Sequence, residues 1–342
     1  MNDEVDTEIT RQVWSGRVPL TIRLADADGG SEEEALNVLA LRCAYLPLYM
    51  PLIRAHFAAI RSRSEAELAA EWWFSWRGIP LKWHYPIGLL HDLFTHSSLP
   101  SSAASKQDPT NPWRITLHFS AFPADKIFRS LPTPTLANDP PRDFYMNSLK
   151  ESDFIRNMSV KKTMSLSKPD QTLLWDTLAE SAGASTDSDL QRSHAKLVEL
   201  HDTFWSVDAK LMMGNVAAAA VESDETSVGT GGLAGGNHLC RSVAVRCYSG
   251  WDKPLFQELI SPKNSSGADV TLLEALRILA PDLIPAASTS NDMEGTHEDG
   301  SLLDTVKLIS HGVEIPLDTP IAWLARHFSY PDNFLHLVLC IS

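Results

Sequence analysis

One segment of this chain occurs twice, near either end. Residues 78–94 read GIPLKWHYPIGLLHDLF and residues 312–328 read GVEIPLDTPIAWLARHF. Both contain Ile-Pro-Leu, then Pro-Ile, then Leu and Phe at the same offsets from the second proline. Each copy leads, through a short linker, to an apolar run with strand character, Trp113–Phe119 and Phe334–Cys340. A solenoid would repeat every few dozen residues, so this spacing means two copies of one small fold.

The repeated unit has a physical reading. Proline suits a first helical turn, where its missing N–H is not needed. Ile87, Leu90 and Phe94 then share one helical face, as do Ile321, Leu324 and Phe328. Before each helix lies a strand entered through a Gly turn, and after it another strand. Upstream of the first copy, Gly16–Leu24 and Ala35–Leu41 pattern as a hairpin followed by a helix over Leu46–Arg61. Upstream of the second, Arg241–Tyr248 and Lys253–Ile260 pattern as a hairpin followed by a helix over Thr271–Leu279. Hairpin, helix, strand pair, short helix, strand is the order of the ubiquitin-like β-grasp fold.

The expected architecture is therefore α+β, with two ubiquitin-like β-grasp domains flanking a helix-rich domain. The expected boundaries are an N-terminal helix at 1–12, a first unit at 13–125, a helix-rich domain at 140–215 and a second unit at 238–342. Leu173, Leu174 and Leu178 fall on one helical face of the middle segment, and Leu197, Leu200, Phe204, Trp205 and Leu211 near another. Ser97–Asn111, Ser181–Asp189 and Gly229–Asn237 read as loops or linkers, and 285–300 as an acidic loop insertion.

Composition narrows the function. A net charge of −14 disfavours nucleic acid and direct adsorption to an anionic membrane, both of which need basic surface. It suits protein partners with basic faces. No apolar run approaches the ~20 residues of a membrane span, and acidic Met1–Thr10 is unlike a targeting peptide. The four cysteines, Cys43, Cys240, Cys247 and Cys340, lack paired metal spacing, as expected of buried thiols in a reducing compartment.

Motifs for catalysis are weak. The run Gly229–Gly236 lacks the Lys-Ser/Thr of a phosphate loop and reads as a flexible linker. His84, His91 and His96 crowd one region, but no two share a helical face beside a carboxylate, so no metal or other cofactor is expected. There is no G-x-S-x-G elbow. Trp72, Phe74 and Trp76 alternate onto one face of a strand, and Ile79, Leu81 and Trp83 onto one face of the next. Trp73 lies on the opposite side, where it either packs beneath the helical domain or meets a partner. Tyr145 and Leu149 share a helical face that Phe154 and Ile155 do not continue, which leaves Lys150 at a break in the apolar stripe and pointing to solvent. Residues 328–334 read as a tight helix-to-strand turn.

Several blocks carry a resemblance to a known family. They are VWSGRVP at 13–19, PLKWHYPIGLL at 80–90, LKESD at 149–153, Phe204-Trp205 with KLM at 210–212, and SYPDNFLH at 329–336. In this order they resemble the autophagy protein 5 family, whose architecture is two ubiquitin-like domains around a helix-rich one. The resemblance implies that Lys150 is the acceptor for an isopeptide bond to the ubiquitin-like autophagy protein 12, made by E1-like and E2-like enzymes. It also implies docking of the coiled-coil autophagy protein 16 in a groove formed by all three domains. The conjugate would act like an E3 ligase, promoting transfer of autophagy protein 8 to phosphatidylethanolamine during autophagosome formation. Such a protein is cytoplasmic and peripheral at the preautophagosomal structure membrane, with membrane contact through its partners. Trp73 and Trp76 are the candidate partner-binding residues.

The chain is thus expected to be a non-catalytic scaffold. The alternative is a cysteine hydrolase acting on ubiquitin-like conjugates, which would need a Cys activated by a His, a context that none of the four cysteines has.

Overall fold

The computed structural model describes residues 2–61, 71–96, 112–129, 139–212, 241–284 and 305–341. The Gly229–Asn237 linker, the 285–300 insertion, Cys240 and all of Ser97–Asn111 lie outside them. The chain opens with α1 (Asn2–Ser15). A first unit follows: β1 (Arg17–Leu24), β2 (Leu36–Leu41), α2 (Met50–Arg61), β3 (Trp73–Trp76), β4 (Ile79–Pro80), α3 (Ile87–His96) and β5 (Trp113–His118). Four helices come next: α4 (Pro140–Asn157), α5 (Lys161–Ser165), α6 (Lys168–Ala184) and α7 (Leu190–Met212). The second unit holds β6 (Val245–Tyr248), β7 (Leu255–Phe256), α8 (Leu272–Leu279), β8 (Val306–Ser310), β9 (Val313–Glu314), α9 (Ile321–His327) and β10 (Leu335–Ile341).

The two sheets have the same topology. The first runs β2-β1-β5-β3-β4 and the second β7-β6-β10-β8-β9, which is one order read at equivalent positions. In each, the first and last strands pair in parallel, Leu20 opposite Trp113 in one and Val245 opposite Leu335 in the other. Alternation explains β1: Val18, Leu20, Ile22 and Leu24 are buried, while the residues between them are partly open. The repeated Gly turn is also shared. Arg77-Gly78 and His311-Gly312 all have positive φ, the two-residue turn whose twist matches a right-handed hairpin. Helix α8 opens with a reciprocal cap, because Thr271 Oγ1 accepts from the Glu274 N–H and the Glu274 carboxylate accepts from the Thr271 N–H.

Four expectations need correction. Ile79, Leu81 and Trp83 do not form one strand: β4 ends at Pro80, the Leu81 N–H makes one further bond to Phe74 O at 2.8 Å, and a turn before α3 carries Trp83 into the core. The hairpin of the second unit is shorter than its pattern. It pairs Cys247 with Phe256 and Tyr248 with Leu255, and only an isolated bridge, Val243 to Ile260, continues it. Ser181–Asp189 is not all loop, since α6 runs through Ala184 with Ser181 buried and Ser181 O accepting from the Ser185 N–H. Helix α1 also extends to Ser15, past the expected end of the N-terminal helix.

The first unit, the helical bundle and the outer face of the second sheet share one core. Tyr248, Ile309 and Val338 of the second unit belong to the same buried cluster as Trp83, Trp113, Tyr145 and Trp175. Helix α3 therefore lies between its own sheet and strands β8 and β10 of the other. The second unit keeps a separate core of its own, including Val245, Leu276, Leu324 and Leu337.

Candidate conjugation site and its surroundings

Helix α4 carries Lys150. Pro140 and Pro141 occupy its first turn, and it ends at Met158, whose φ of 53° and N–H bond to Phe154 O stop the helix. Its inner face is Tyr145, Leu149, Ser152, Asp153, Ile155 and Arg156. The apolar stripe does break after Leu149, as its sequence suggests, but the face itself continues in polar side chains that are hydrogen-bonded inside. Asp153 Oδ2 accepts from the Thr163 N–H at 2.9 Å and from Thr163 Oγ1 at 3.1 Å, and Oδ1 accepts from Asn157 at 2.8 Å. These bonds fold α5 back beside the turn that holds Leu149. Arg156 donates to Asn333 O of the second unit, and its own carbonyl accepts from the Arg241 N–H at 3.0 Å.

Lys150 sits on the outer face, half-buried, with no hydrogen-bond or ion-pair partner among the described residues. Its neighbour Glu151 is engaged, because Arg246 of β6 pairs with it at 2.6 Å. The Arg246 guanidinium in turn lies 3.7 Å from the centre of the Phe334 ring. Phe154, one turn beyond Lys150, is 49% exposed.

The 329–336 block is the turn expected, and it also seats the second unit on the helices. The Asn333 N–H bonds Tyr330 O at 2.8 Å with Asn333 at φ 65°. Asn333 Nδ2 donates to Asp208 of α7 at 2.8 Å, and Tyr145 Oη donates to Pro331 O at 3.2 Å. Asp332 lies 3.0 Å from His336, which contacts Tyr248 Oη at the same distance. Burial pushes the Asp208 carboxyl up to about 7, despite the bond from Asn333 and nearby Arg156. Burial would likewise raise Asp332, but His336, Arg246 and the Phe334 N–H together hold Asp332 below the usual carboxylate range.

A second junction joins the two ubiquitin-like units directly. Asp92 of α3 pairs with Arg42, and its Oδ2 accepts from the Gly312 N–H at 2.8 Å. Burial alone would raise Asp92. The His91 bond and the Arg42 guanidinium bring it below the ordinary value. Sequence reasoning missed Asp92, although an acid between Leu90 and Leu93 on an apolar helix was a visible signal.

Trp76 is 5% exposed and packs on Phe94 inside the first core, so it offers a partner almost no surface. Trp73 is half-buried, stacked 3.9 Å from His118, and its Nε1 donates to Ser120 O at 2.8 Å. His84 is half-buried among the Trp83, Phe128 and Phe144 rings, and loss of solvent around it pushes it down to about 3. The three histidines do not converge, and no group of three metal-ligating side chains occurs among the described residues. Burial pushes the Cys43 and Cys247 thiols up to about 12 and Cys340 to about 11, which disfavours a nucleophilic thiolate at these three described cysteines.

Two β-grasp units gripping a helical bundle define a multidomain ubiquitin-like protein. The family descriptions that match are "Autophagy protein ATG5, UblA domain" at 13–119, its "alpha-helical bundle region" at 139–182 and its "UblB domain" at 242–339. Autophagy protein 5 of Aspergillus oryzae is 28% identical, covering 97% of this chain and 96% of that protein. Autophagy protein 5 of Drosophila melanogaster is 26% identical over the same shares. The crystal structure of Kluyveromyces marxianus Atg5 has the same fold, with a TM-score of 0.61 at 21% identity over 97% of this chain and 98% of the other. The chain belongs to the autophagy protein 5 family.

Proposed function

We propose that this autophagy protein is a scaffold joined covalently through Lys150 to the ubiquitin-like autophagy protein 12. It also binds the coiled-coil autophagy protein 16, and the assembly acts like an E3 ligase in lipidation of autophagy protein 8 on phosphatidylethanolamine. It works in the cytoplasm and at the preautophagosomal structure membrane, which it reaches through its partners. The observation that carries this reading is the setting of Lys150, an amine on the outer face of α4 that no described side chain ties down. The deprotonated amine attacks the thioester carbonyl on the E2-like enzyme. A C–N bond forms, the C–S bond breaks, and the thiolate leaves with the proton from nitrogen. The chain itself supplies the nucleophile and its position.

The test is reconstitution of the wild type and Lys150→Arg with the E1-like and E2-like enzymes and autophagy protein 12. The arginine keeps the charge but cannot form the amide, so the heavier covalent product should vanish. Persistence of that product in Lys150→Arg would overturn the assignment. Replacing Trp73 by Ala and measuring co-purification of autophagy protein 16 tests the partly open tryptophan separately, and unchanged binding rules it out.

A further inference from the structure

On the seam between the two ubiquitin-like units lies a groove with apolar walls and a cationic rim. Tyr85, Leu93 and Phe94 of the first unit form one side, and Trp251, in the turn after β6, closes the other. Trp251 stacks toward Phe94 with ring centres 6.3 Å apart, which joins the two units at the floor of the groove. The groove holds about 290 Å³ of free space. That is the scale of a bulky anchoring side chain, at the low end for a small-molecule site.

The rim departs from the rest of the molecule. Lys82, Lys126 and Lys253 border the groove from three separate segments, against one acid, Asp252. None of the three lysines has an ion-pair partner among the described residues, and Lys82 lies 5.2 Å over the Tyr85 ring. The chain as a whole carries a net charge of −14. Unpaired lysines around a local apolar cleft give a positive field where the global charge is negative, which draws acidic ligands to that place.

We infer that this groove binds an acidic peptide segment of a partner protein, anchored by one aromatic or aliphatic side chain between Tyr85 and Trp251. An anionic bilayer fits less well. Leu93 and Phe94 are 2% and 4% exposed, so they lie recessed where only a protruding side chain can reach. Nothing in this inference depends on Lys150 being the acceptor.

The experiment uses the full chain and a fluorescein-labelled peptide of Asp and Glu residues around a central Trp-Leu pair. Anisotropy is read at low and at physiological salt, with a Lys-for-acid version of the peptide as control. The wild type should bind the acidic peptide saturably and more tightly at low salt. The triple variant Lys82→Glu, Lys126→Glu, Lys253→Glu should bind about tenfold more weakly. Trp251→Ala should weaken binding by a similar factor at both salts, since the anchor is apolar. The three lysines are half-buried or exposed, and an unchanged melting temperature shows that the triple variant is folded. Equal affinity of wild type and triple variant for the acidic peptide, or equal affinity of the wild type for the control peptide, overturns the proposal. So does co-sedimentation with phosphatidylserine vesicles, lost in the triple variant, when the peptide does not bind.

Discussion

The two ubiquitin-like units share strand order, parallel central pair and hairpin turn, yet the same parts serve different ends. In the first unit α3 is covered on both sides, and Ile87, Gly88, Leu89, Leu90, Asp92, Leu93 and Phe94 are all buried. In the second, α9 buries Ile321, Leu324, Ala325 and His327 and leaves Trp323 38% exposed. The turns differ likewise. A Cβ on Gly78 would meet nothing within 4 Å, whereas one on Gly312 would lie 3.0 Å from the Arg42 guanidinium. Duplication supplied two copies of a fold, and burial against other parts of the chain made one copy's helix and the other copy's turn into an interface.

The contrast is broken most severely at Asp92. Asp92→Ala strands Arg42 in a buried site and should destabilise the protein by about 3–5 kcal/mol, measured by urea denaturation. Because Asp92 also holds Gly312, tryptophan fluorescence and far-UV circular dichroism should cease to report one coincident transition. Coincident curves with an unchanged midpoint would mean that the units are joined without it.

A smaller effect separates the two turns. Gly78→Ala meets only the strain of a left-handed φ, about 1–2 kcal/mol. Gly312→Ala adds crowding of Arg42 and should lower stability by about 2–4 kcal/mol. Equal losses would erase the distinction between a free turn and an interface turn.

The mildest effect compares the two buried carboxylates that anchor the second unit. Asp92 is held low by Arg42 and His91, while Asp208 is pushed up to about 7. In the unfolded chain Asp208 would titrate near 3.8, so above pH 7 the fold must hold a charge that burial disfavours. As pH falls from 7 toward 4 the folded state already holds the proton and this penalty fades away. Asp208→Asn keeps an acceptor for Asn333 and cannot ionise. It should therefore be more stable than wild type by about 1–2 kcal/mol at pH 8, with the gap closing near pH 4. Neutral histidines such as His84 and His311 act in the opposite sense, losing stability as pH drops below 6.5, but they are common to both proteins and cancel in the difference.

Much of this was legible from residue patterns, and the exceptions have physical causes. The repeat fixed the β-grasp order because alternation in β1 and helical spacing in α3 are local signals. The length of the second hairpin was not legible. Its pattern continues to Ile260, but outward from the turn the pairing stops at the Cys247–Phe256 pair and resumes only as a bridge. Along α4, a hydrophobic pattern could not register an inner face completed by Ser152, Asp153 and Arg156, whose partners come from α5 and from the second unit. Trp73 and Trp76 were offered together as contact residues, yet one is in the core and the other half-open. Strand alternation had already set them on opposite faces.

Helix α1 rests on elements made well after it. Trp14 of α1 packs 4.8 Å from Phe204, and Asp6 lies 3.7 Å from His327 of α9. The outer side of α3, complete once residue 96 has emerged, likewise waits for β8 and β10, which end at residue 341. At ~5–20 residues per second, synthesis of the intervening chain takes on the order of ten to fifty seconds. Throughout that interval a nascent polypeptide exposes a ready-made oily flank and an undocked leading helix. Biogenesis of such a molecule places its greatest demand on chaperones before the ribosome has finished.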